Sequence, residues 1–338
     1  MDSVIHLAVD VMGGDYGSAV TVPASLAVLQ KLPTLSLTLV GDQSEIESQI
    51  AAFGTAASDR IQIVHTEEVI QMDDKPSIAL RKKKNSSTYQ AIELVSQTAA
   101  QACVSAGNTG ALLAIGCYLL KTFPGVDRPA IVSAFPTLDG RCFILDLGAN
   151  AAVQPQSLCQ FAVMANAMLE AIYDIASPRV GILNMGKEVG KGNELVQLAD
   201  ELIRKIEPLN YIGFVEPSDI FEGRVDIAVC DGFVGNMMLK TMEGVASMVD
   251  QLLAKQINKK ELIGEHSSTI SALLSTVRGQ LDPRKYNGAS FLGLQGIVVK
   301  SHGAADQSSF EQALYTAIAA VESDLPNQIR KRVAPGHH

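Results

Sequence analysis

The stretch Ala102-Cys-Val-Ser-Ala-Gly-Asn-Thr-Gly-Ala-Leu112 shows the order that decides the fold: a short apolar run, a loop of small and polar residues, then an apolar helical pattern. The same order recurs along the chain, where apolar runs of strand length alternate with longer helical patterns. This alternation is typical of βαβ units in a mostly parallel sheet. The near-continuous hydrophobicity of the runs predicts strands that helices cover on both faces. We therefore expect a three-layer αβα sandwich of the Rossmann-like α/β class.

The apolar runs predict the strands, and the longer patterns between them predict the helices. The predicted strands are Ile5–Val9, Leu35–Val40, Ile61–His65, Ala102–Val104, Ala130–Ala134, Cys142–Leu147, Val180–Leu183, Tyr211–Val215, Val225–Cys230 and Gly296–Val299. The predicted helices cover residues 18–31, 44–53, 87–99, 109–121, 155–174, 193–206, 234–255 and 306–322.

Composition excludes several classes of protein. The 338-residue chain is 47% hydrophobic and carries a formal net charge of −9, which disfavours nucleic acid as a partner. No apolar run reaches the roughly 20 residues that a membrane-spanning helix needs, and no basic leader precedes the first predicted strand. The five cysteines include no CxxC pair, so we expect small core residues of a reducing cytosol and no metal site.

One stretch breaks the alternation of strands and helices. Residues 251–288 show a helical pattern without strands, with charged and hydroxyl residues among Leu and Ile. This composition predicts a helical protrusion from the α/β body, which either packs against a neighbouring surface or touches a membrane as an amphipathic element. We expect a single domain over residues 1–330 that carries this protrusion, followed by a tail at 331–338.

Loops rich in Gly, Asn, Asp and Ser follow most of the predicted strands. In an open α/β sheet, ligands bind in the crevice outside the carboxyl ends of the strands. Glycine lets backbone N–H groups approach an anion, and helix N-termini add partial positive charge. We therefore expect these loops to meet on one side of the sheet and to bind a phosphate group. The candidate phosphate-binding residues are Asp10, Gly13, Gly14, Ser105, Gly107, Asn108, Thr109, Asn150, Asn184, Asn193 and Asn236.

Two lysines and a histidine also follow predicted strands. Lys191 and Lys300 offer positive charge to phosphate oxygens, and His302 offers a hydrogen bond or a proton; surface turns are the alternative for Lys300 and His302. The chain contains no P-loop, no dinucleotide-binding fingerprint and no G-x-S-x-G elbow. Cys230 is the one thiol placed for covalent catalysis, and a small core residue is the favoured interpretation.

A basic run, Arg81-Lys82-Lys83-Lys84, stands out against the acidic total. It is either a solvated surface or a docking patch for an acidic partner. The residues alone leave both interpretations open.

Taken together, these loops resemble the PlsX family, the acyl-acyl carrier protein:phosphate acyltransferases of bacterial phospholipid synthesis. The resemblance runs from about residue 5 to 322, with the motifs in the family's order. The motifs are Asp10-x-Met-Gly-Gly-Asp15, Lys75-Pro-Ser-x-Ala-Leu-Arg-x-Lys-Lys84, Val104-Ser-Ala-Gly-Asn-Thr-Gly-Ala-Leu112, Leu145-Asp-Leu-Gly-Ala-Asn150, Lys191-Gly-Asn-Glu194, Val229-Cys-Asp-Gly-Phe-x-Gly-Asn236 and Gly296-Ile-Val-Val-Lys-Ser-His-Gly303.

The resemblance implies a fold related to phosphate acetyltransferases and isopropylmalate-type dehydrogenases. It implies a reaction in which inorganic phosphate attacks the thioester of a long-chain acyl-acyl carrier protein, without an organic cofactor. It further implies a homodimer, cytoplasmic and peripherally membrane-associated, whose acyl phosphate is used by a downstream glycerol-3-phosphate acyltransferase. Since carrier proteins are acidic, the run at 81–84 gains acyl carrier protein as its partner. At the level of motifs, the implied catalytic residues are Lys191, Asp231, Lys300 and His302.

Three positions depart from the family's usual pattern. Ala151-Ala152-Val153 stands where Val-Asp-Cys is usual, Lys187 where Glu is usual, and Thr88-Tyr-Gln where Met-Arg-Val is usual. The first departure leaves open a non-catalytic homologue that acts as a scaffold. Two enzyme classes also stay open: a phosphate acyltransferase that uses coenzyme A thioesters, and a decarboxylating NAD-dependent dehydrogenase on a related fold.

Overall fold

Strands and helices alternate through most of the chain. The computed structural model describes residues 4–54, 58–188, 190–257, 279 and 282–333. Its strands are β1 (Ile5–Asp10), β2 (Leu35–Gly41), β3 (Ile61–His65), β4 (Ala102–Ser105), β5 (Ala130–Thr137), β6 (Gly140–Leu145), β7 (Val180–Leu183), β8 (Tyr211–Val215), β9 (Ile227–Val229), β10 (Ala289–Leu292) and β11 (Ile297–Lys300). Its helices are α1 (Ser18–Lys31), α2 (Gln43–Phe53), α3 (Pro76–Lys82), α4 (Ser87–Ser96), α5 (Thr109–Leu119), α6 (Pro155–Tyr173), α7 (Glu194–Ile203), α8 (Pro217–Phe221), α9 (Gly232–Ile257), α10 (Gln307–Glu322) and α11 (Leu325–Val333).

Several helices begin at a polar loop residue that caps their first turn. The side chains of Asp42, Asn108, Asn193 and Asp306 each accept a hydrogen bond from a backbone N–H group of α2, α5, α7 and α10, respectively. Such an N-cap contributes about 1 kcal/mol to helix stability. The local sequence therefore sets where these loops end and the helices begin.

The described strands form one eleven-stranded sheet in the order β3-β2-β1-β4-β11-β10-β5-β6-β9-β7-β8. β1, β2, β3, β4 and β11 are mutually parallel, and so are β6, β7, β8 and β9. Three antiparallel pairings, β11 with β10, β10 with β5 and β5 with β6, lie between these two groups. The predicted mostly parallel α/β sheet is confirmed, and the two parallel groups run in opposite directions.

The opposite directions correct the prediction that all the polar loops meet on one side of the sheet. The loops after β1, β4 and β11 leave one end of the sheet, whereas the loops after β6, β7 and β9 leave the other end. The β5–β6 hairpin and the unpredicted strand β10 cause the reversal. Neither alters the pattern of apolar residues, and that pattern is the basis on which the strands are predicted to be parallel.

Apolar side chains pack on both faces of the sheet. On β1, Leu7 and Val9 belong to one core cluster together with Phe310 of α10, whereas Ala8 belongs to a second cluster with Ile92 of α4. Since successive residues of a strand point to opposite faces, the two clusters lie on the two sides of the sheet. Helices therefore cover both faces, as expected of an αβα sandwich.

Four elements lie outside the predictions: β10, α3, α8 and α11. β10 has four residues and directly follows the stretch that was predicted to be helical. α11 is predominantly polar and packs against α6. Short or polar elements take their stability mainly from tertiary packing, so their own pattern does not reveal them.

The predicted protrusion at about 251–288 lies mostly outside the described residues. α9 continues to Ile257, and a short 3-10 helix spans Pro283–Tyr286, but residues 258–278 are not described. α11 extends three residues into the predicted tail, and Val333 is buried there. The single domain with its protrusion stays a prediction. Among the described residues, no helix combines the length and the apolar character needed to cross a membrane.

The first turn of α9 packs tightly against the end of β6. A Cβ atom on Gly235 would lie 1.9 Å from the carbonyl oxygen of Asp146. Asp146 is fixed in place because its buried carboxylate accepts hydrogen bonds from the backbone N–H groups of Ile131, Ala149 and Asn150. The carbonyl cannot move away without breaking this network.

Replacing Gly235 by alanine should therefore destabilise the protein by about 1–3 kcal/mol, the usual range for overpacking. Gly244, on the same helix, is the matched control, because a Cβ there meets no atom within 4 Å. Gly244→Ala should be neutral or stabilising by up to about 1 kcal/mol, since alanine favours a helix interior. Urea unfolding followed by circular dichroism measures both; equal midpoints for the two variants would contradict the tight contact.

Candidate functional site

Three register-paired residues form a buried polar row at the ends of β1, β4 and β11. Asp10 pairs with Ser105, and Ser105 pairs with Lys300, across three adjacent strands. Asp10 and Ser105 are fully buried, and Lys300 is 9% exposed. Asp10 Oδ2 accepts hydrogen bonds from the hydroxyl groups of Ser105 at 2.6 Å and Thr88 at 2.7 Å. The row sets a carboxylate, a hydroxyl and an ammonium group side by side.

Glycines bring the loops that follow these strands into backbone contact. A Cβ on Gly13 would lie 2.6 Å from the backbone nitrogen of Gly107. Gly14 has a φ of +89°, and a Cβ there would lie 2.9 Å from the carbonyl oxygen of Gly303. The N–H of Asp15 donates to that same carbonyl at 2.8 Å. Three of the predicted loops therefore meet, and side chains at positions 13 and 14 would separate them.

Lys300 is a buried cation with backbone carbonyls as neighbours. Its Nζ donates to the carbonyl oxygen of Ala106 at 3.2 Å and also contacts that of Ser301. Burial lowers the pKa of Lys300 to about 8, although the negative charges of Asp10 and Asp15 oppose this shift. At neutral pH the group is therefore still charged, and it is poorly hydrated. Such a group is well suited to bind an anion.

The N-terminus of α5 begins beside this row. Asn108 Oδ1 accepts a hydrogen bond from the N–H of Ala111 at 3.0 Å, and its Nδ2 donates to three carbonyl oxygens of residues 71–74 at 2.9 to 3.2 Å. The Asn108 side chain thus caps the helix and holds a neighbouring loop, so it is engaged within the protein. The first-turn N–H groups, that of Thr109 among them, have no partner within the helix and are the groups here that suit an anion.

His302 follows Lys300 by two residues and is contacted by α9. The side chain of His302 is 54% exposed, and its Nε2 lies 3.8 Å from Oε1 of Glu243. Oε2 of Glu243 accepts a hydrogen bond from Lys240 Nζ at 2.7 Å. A helix that starts in the second group of strands therefore brings two charged residues to the first group.

A second cluster surrounds Asp146 and contains three of the predicted residues. Asn150 is buried and donates its Nδ2 to Asp146 Oδ2 at 2.9 Å. Asp231 accepts a hydrogen bond from the N–H of Val234 at 2.9 Å, in the first turn of α9, and Asn236 is exposed. These residues belong to loops that leave the opposite end of the sheet from the row. Within the described part of the chain, no group of three or more His, Cys, Asp or Glu side chains is placed to hold a metal ion.

The loop after β7 is organised by its own contacts. Asn184 Nδ2 donates to the carbonyl oxygen of Lys191 at 3.1 Å, and Asn193 caps α7. The side chain of Lys191 is exposed. Lys187 donates to the buried carboxylate of Asp219 at 2.6 Å, so its charge is balanced within the protein. This loop, too, leaves the end of the sheet opposite the row.

Cys230 has the properties of a core residue. Its side chain is 4% exposed, and its Sγ lies 3.8 Å from the carbonyl oxygen of Asp146. Burial raises the pKa of the Cys230 thiol well above its usual range, and the charges of Asp231 and Asp146 act in the same direction. A thiol must ionise to act as a nucleophile. The structure therefore supports the core interpretation over covalent catalysis.

The basic run at 81–84 is only partly available to a partner. The side chains of Arg81, Lys82 and Lys84 are exposed. Lys83 is half-buried, and its Nζ donates to the carboxylate of Asp74 at 2.6 Å. Lys83 therefore stabilises the neighbouring loop, and three residues make up the exposed basic patch.

Three side chains that contact the row or its surroundings are not among the site residues predicted from the sequence: Thr88, Lys240 and Glu243. Thr88 is separated from Asp10 by 78 positions, and no local pattern joins them. Lys240 and Glu243 stand at i and i+3 on α9 with opposite charges. That spacing is a recognisable signal for an ion pair on a helix, but it gives no sign of what the pair contacts.

Sequence comparison gives the family. The family model described as "Fatty acid synthesis protein" matches residues 5–328. The chain is 48% identical over 330 residues to the phosphate acyltransferase of Shewanella woodyi, covering 97% of this chain and 96% of that protein. It is 46% identical over 329 residues to the phosphate acyltransferase of Hydrogenovibrio crunogenus, covering 97% of each.

Solved structures share the fold at low sequence identity. A phosphotransacetylase from Streptococcus pyogenes matches with a TM-score of 0.65 at 17% identity, covering 95% of this chain and 94% of that chain. A 4-hydroxythreonine-4-phosphate dehydrogenase from Salmonella typhimurium matches with a TM-score of 0.53 at 13% identity, covering 94% and 99%. The expected relation of the fold to phosphate acetyltransferases is confirmed. With the family model and the relatives agreeing with the motifs, the chain belongs to the PlsX family of phosphate acyltransferases, enzymes of fatty acid and phospholipid synthesis.

Proposed function

We propose that the protein transfers a long-chain acyl group from acyl carrier protein to inorganic phosphate. The observation that carries this proposal is the row of Asp10, Ser105 and Lys300, which sets a buried ammonium group beside the first turn of α5. A cation and the N–H groups at a helix N-terminus together suit a phosphate dianion. Membership of the family supports phosphate as the acceptor for this geometry.

In the proposed reaction, an oxygen of hydrogen phosphate attacks the carbonyl carbon of the thioester. A carbon–oxygen bond forms, the carbon–sulfur bond breaks, and the proton that phosphate loses is taken up by the departing sulfur. The products are acyl phosphate and the free thiol of the carrier protein. Because a free thiol has a pKa of about 8.5, its thiolate leaves readily, and no covalent enzyme intermediate is required.

The residues of the row have separate roles in this proposal. Lys300 binds phosphate and offsets the negative charge that develops on the carbonyl oxygen. Asp10 favours the protonated form of Lys300, and the hydroxyls of Ser105 and Thr88 hold the Asp10 carboxylate in place. His302 stands at the exposed side of the row, where the thioester approaches.

The remaining candidates are supported by their motifs alone. Lys191 and Asp231 follow strands of the second group, which end at the other side of the sheet from Lys300. Their catalytic roles stay predictions. The same holds for phosphate contacts by Asn184 and Asn236.

The exposed basic patch supports acyl carrier protein as the donor. Arg81, Lys82 and Lys84 lie on or directly after α3. α3 begins at Pro76, and a Cβ on Gly110 would lie 2.6 Å from the ring of that proline. A carrier protein bound to the patch is therefore held next to the first turn of α5.

The assembly and location of the protein are also part of the proposal. We propose a cytoplasmic homodimer that associates peripherally with the membrane and passes acyl phosphate to a glycerol-3-phosphate acyltransferase, as the family resemblance implies. The exposed apolar side chains of Val245, Met248 and Leu252 support a contact between α9 and another surface.

The first test is the reaction itself. Purified protein incubated with palmitoyl-acyl carrier protein should release the carrier thiol only when phosphate is present, and acyl phosphate should accumulate in step with it. Palmitoyl-coenzyme A, assayed in parallel, distinguishes the two thioester donors. Absence of a phosphate-dependent loss of thioester would contradict the proposal. Turnover of the coenzyme A thioester alone would show that the acyl donor is coenzyme A and not acyl carrier protein.

Lys300→Met should lower kcat/KM by about 100-fold or more, because it removes a charged group that contacts the reacting phosphate. The pH dependence should also change. In the wild type, activity should fall as pH rises through about 8, because Lys300 then loses its proton; in Lys300→Met this fall should be absent. Lys205→Met is the control, because Lys205 is exposed and follows α7, outside the row that contains Lys300. A pH profile unchanged by Lys300→Met would show that another group controls the reaction.

Reversing the charge of the basic patch should weaken the use of the carrier-protein substrate. Lys82→Glu combined with Lys84→Glu should lower kcat/KM for palmitoyl-acyl carrier protein by about tenfold at low salt, with a smaller effect at high salt. The matched control is Lys205→Glu with Lys255→Glu, which makes the same charge change at two exposed lysines elsewhere. Equal losses in both double variants would mean that overall charge, and not this patch, attracts the carrier.

A further inference from the structure

α9 connects the two groups of loops that the sheet keeps apart. Its first turn is fixed against β6, where Gly235 meets the carbonyl of Asp146. The eight-residue step from Gly235 to Glu243 advances the helix by about 12 Å along its axis. At that point Glu243 lies 3.8 Å from His302, two residues beyond Lys300. The helix therefore adds a side to the candidate phosphate site that the loops alone do not supply.

Glu243 contacts two potential cations with its two carboxylate oxygens. Oε2 accepts from the ammonium group of Lys240 at 2.7 Å, and Oε1 faces Nε2 of His302 at 3.8 Å. The side chain of Glu243 is 28% exposed, whereas that of Lys240 is 56% exposed. The carboxylate is thus the more enclosed partner, and the lysine ammonium is held where an incoming ligand can reach it.

The ring of His302 is oriented by its own loop. The Nδ1 atom accepts a hydrogen bond from the N–H of Ala304 at 3.2 Å, and the backbone N–H of His302 donates to Oδ1 of Asn287 at 2.9 Å. Because Nδ1 is an acceptor, the neutral ring carries its proton on Nε2. With its proton on Nε2, His302 presents a donor toward Glu243 and toward the exposed side of the row.

The positive charge of Lys240 acts on the ionisation of Lys300. Burial is the main reason for the lowered pKa of Lys300, and the positive charge of Lys240 lowers it further. The negative charges that face Lys300 act in the other direction: Asp10 from β1 and Asp15 from the loop before α1. Two ammonium groups that repel each other become favourable neighbours when a dianion binds between them.

We infer that Lys240 is a second phosphate-binding residue, and that Glu243 is the positioning residue that holds it beside Lys300 together with the Nε2–H group of His302. The inference rests on the proposed function, because phosphate is the ligand that the two lysines share. α9 then completes the site by adding a second cation to it.

The test uses the full chain and inorganic phosphate alone, with affinity measured by isothermal titration calorimetry over a pH range that brackets the pKa of Lys300. Lys240→Met should weaken phosphate binding by about tenfold or more, because a charge-assisted contact is lost. The pH at which affinity falls should move upward, since no like charge then opposes the protonation of Lys300. Lys255→Met makes the same change fifteen residues further along α9 and should alter neither quantity.

Glu243→Gln supplies a second, independent measurement. The substitution preserves the shape of the side chain but removes the charge that balances Lys240. The pH at which phosphate affinity falls should move downward, because an unbalanced Lys240 opposes the protonation of Lys300 more strongly. Lys240→Met and Glu243→Gln should therefore shift the pH at which phosphate affinity falls in opposite directions. If the two residues only stabilised the structure, these opposite shifts would not arise.

Two results would overturn the inference: a Lys240→Met protein that matches Lys255→Met in both affinity and pH dependence, or a wild type that does not bind phosphate. A different result would overturn the proposed function alone. In that case the wild type binds phosphate with the expected dependence on Lys240 but leaves the thioester of palmitoyl-acyl carrier protein intact.

Discussion

The charge of Lys300 is the constraint on which the candidate site depends. Lys300 is 9% exposed, so its ammonium group has lost most of its hydration, and burial accordingly lowers its pKa to about 8. The charge persists at neutral pH because Asp10 lies in the same row and because the carbonyl of Ala106 accepts a hydrogen bond. Asp10 is itself buried and needs donors of its own, which Ser105 and Thr88 provide. The buried charges of Lys300 and Asp10 both need partners. This requirement links the ends of β1, β4 and β11 to the start of α4.

The opposed directions of the two strand groups explain why a helix takes part in this site. Loops after β6, β7 and β9 leave the end of the sheet opposite Lys300, so they do not join the loops after β1, β4 and β11. α9 crosses that distance, with its first turn packed against Asp146 at Gly235 and with Glu243 in contact with His302. The same helix continues toward residues 251–288, the predicted protrusion. α9 therefore joins the second group of loops to the side chains that face the row.

The sequence predicts those parts of the fold and site that depend on local pattern. β1, β4 and β11 are almost wholly apolar because helices cover them, and the sequence predicts Asp10, Ser105 and Lys300 as site residues because each directly follows one of the predicted strands. Direction was not predictable, since β10 and the β5–β6 hairpin reverse it without altering the apolar pattern. Side-chain partners were not predictable either. Asn108 and Asn193 were chosen as phosphate ligands, yet their side chains cap helices, and both roles place an asparagine at a helix start.

The chemistry of the row bears on why phosphate should attack the thioester directly. A covalent route needs a protein nucleophile, and neither the hydroxyl of the row nor the thiol of Cys230 is free to act as one. The hydroxyl of Ser105 donates to Asp10 and accepts from the N–H of Gly107. Cys230 is buried, and its thiol is held in the protonated form. What the row does offer is positive charge and hydrogen-bond donors, which act by positioning an anion and by stabilising the charge that develops during attack. In the proposed reaction the nucleophile is therefore the ligand itself, since a phosphate dianion suits the positive charge and the donors of the row and its oxygen can attack the carbonyl carbon of a thioester.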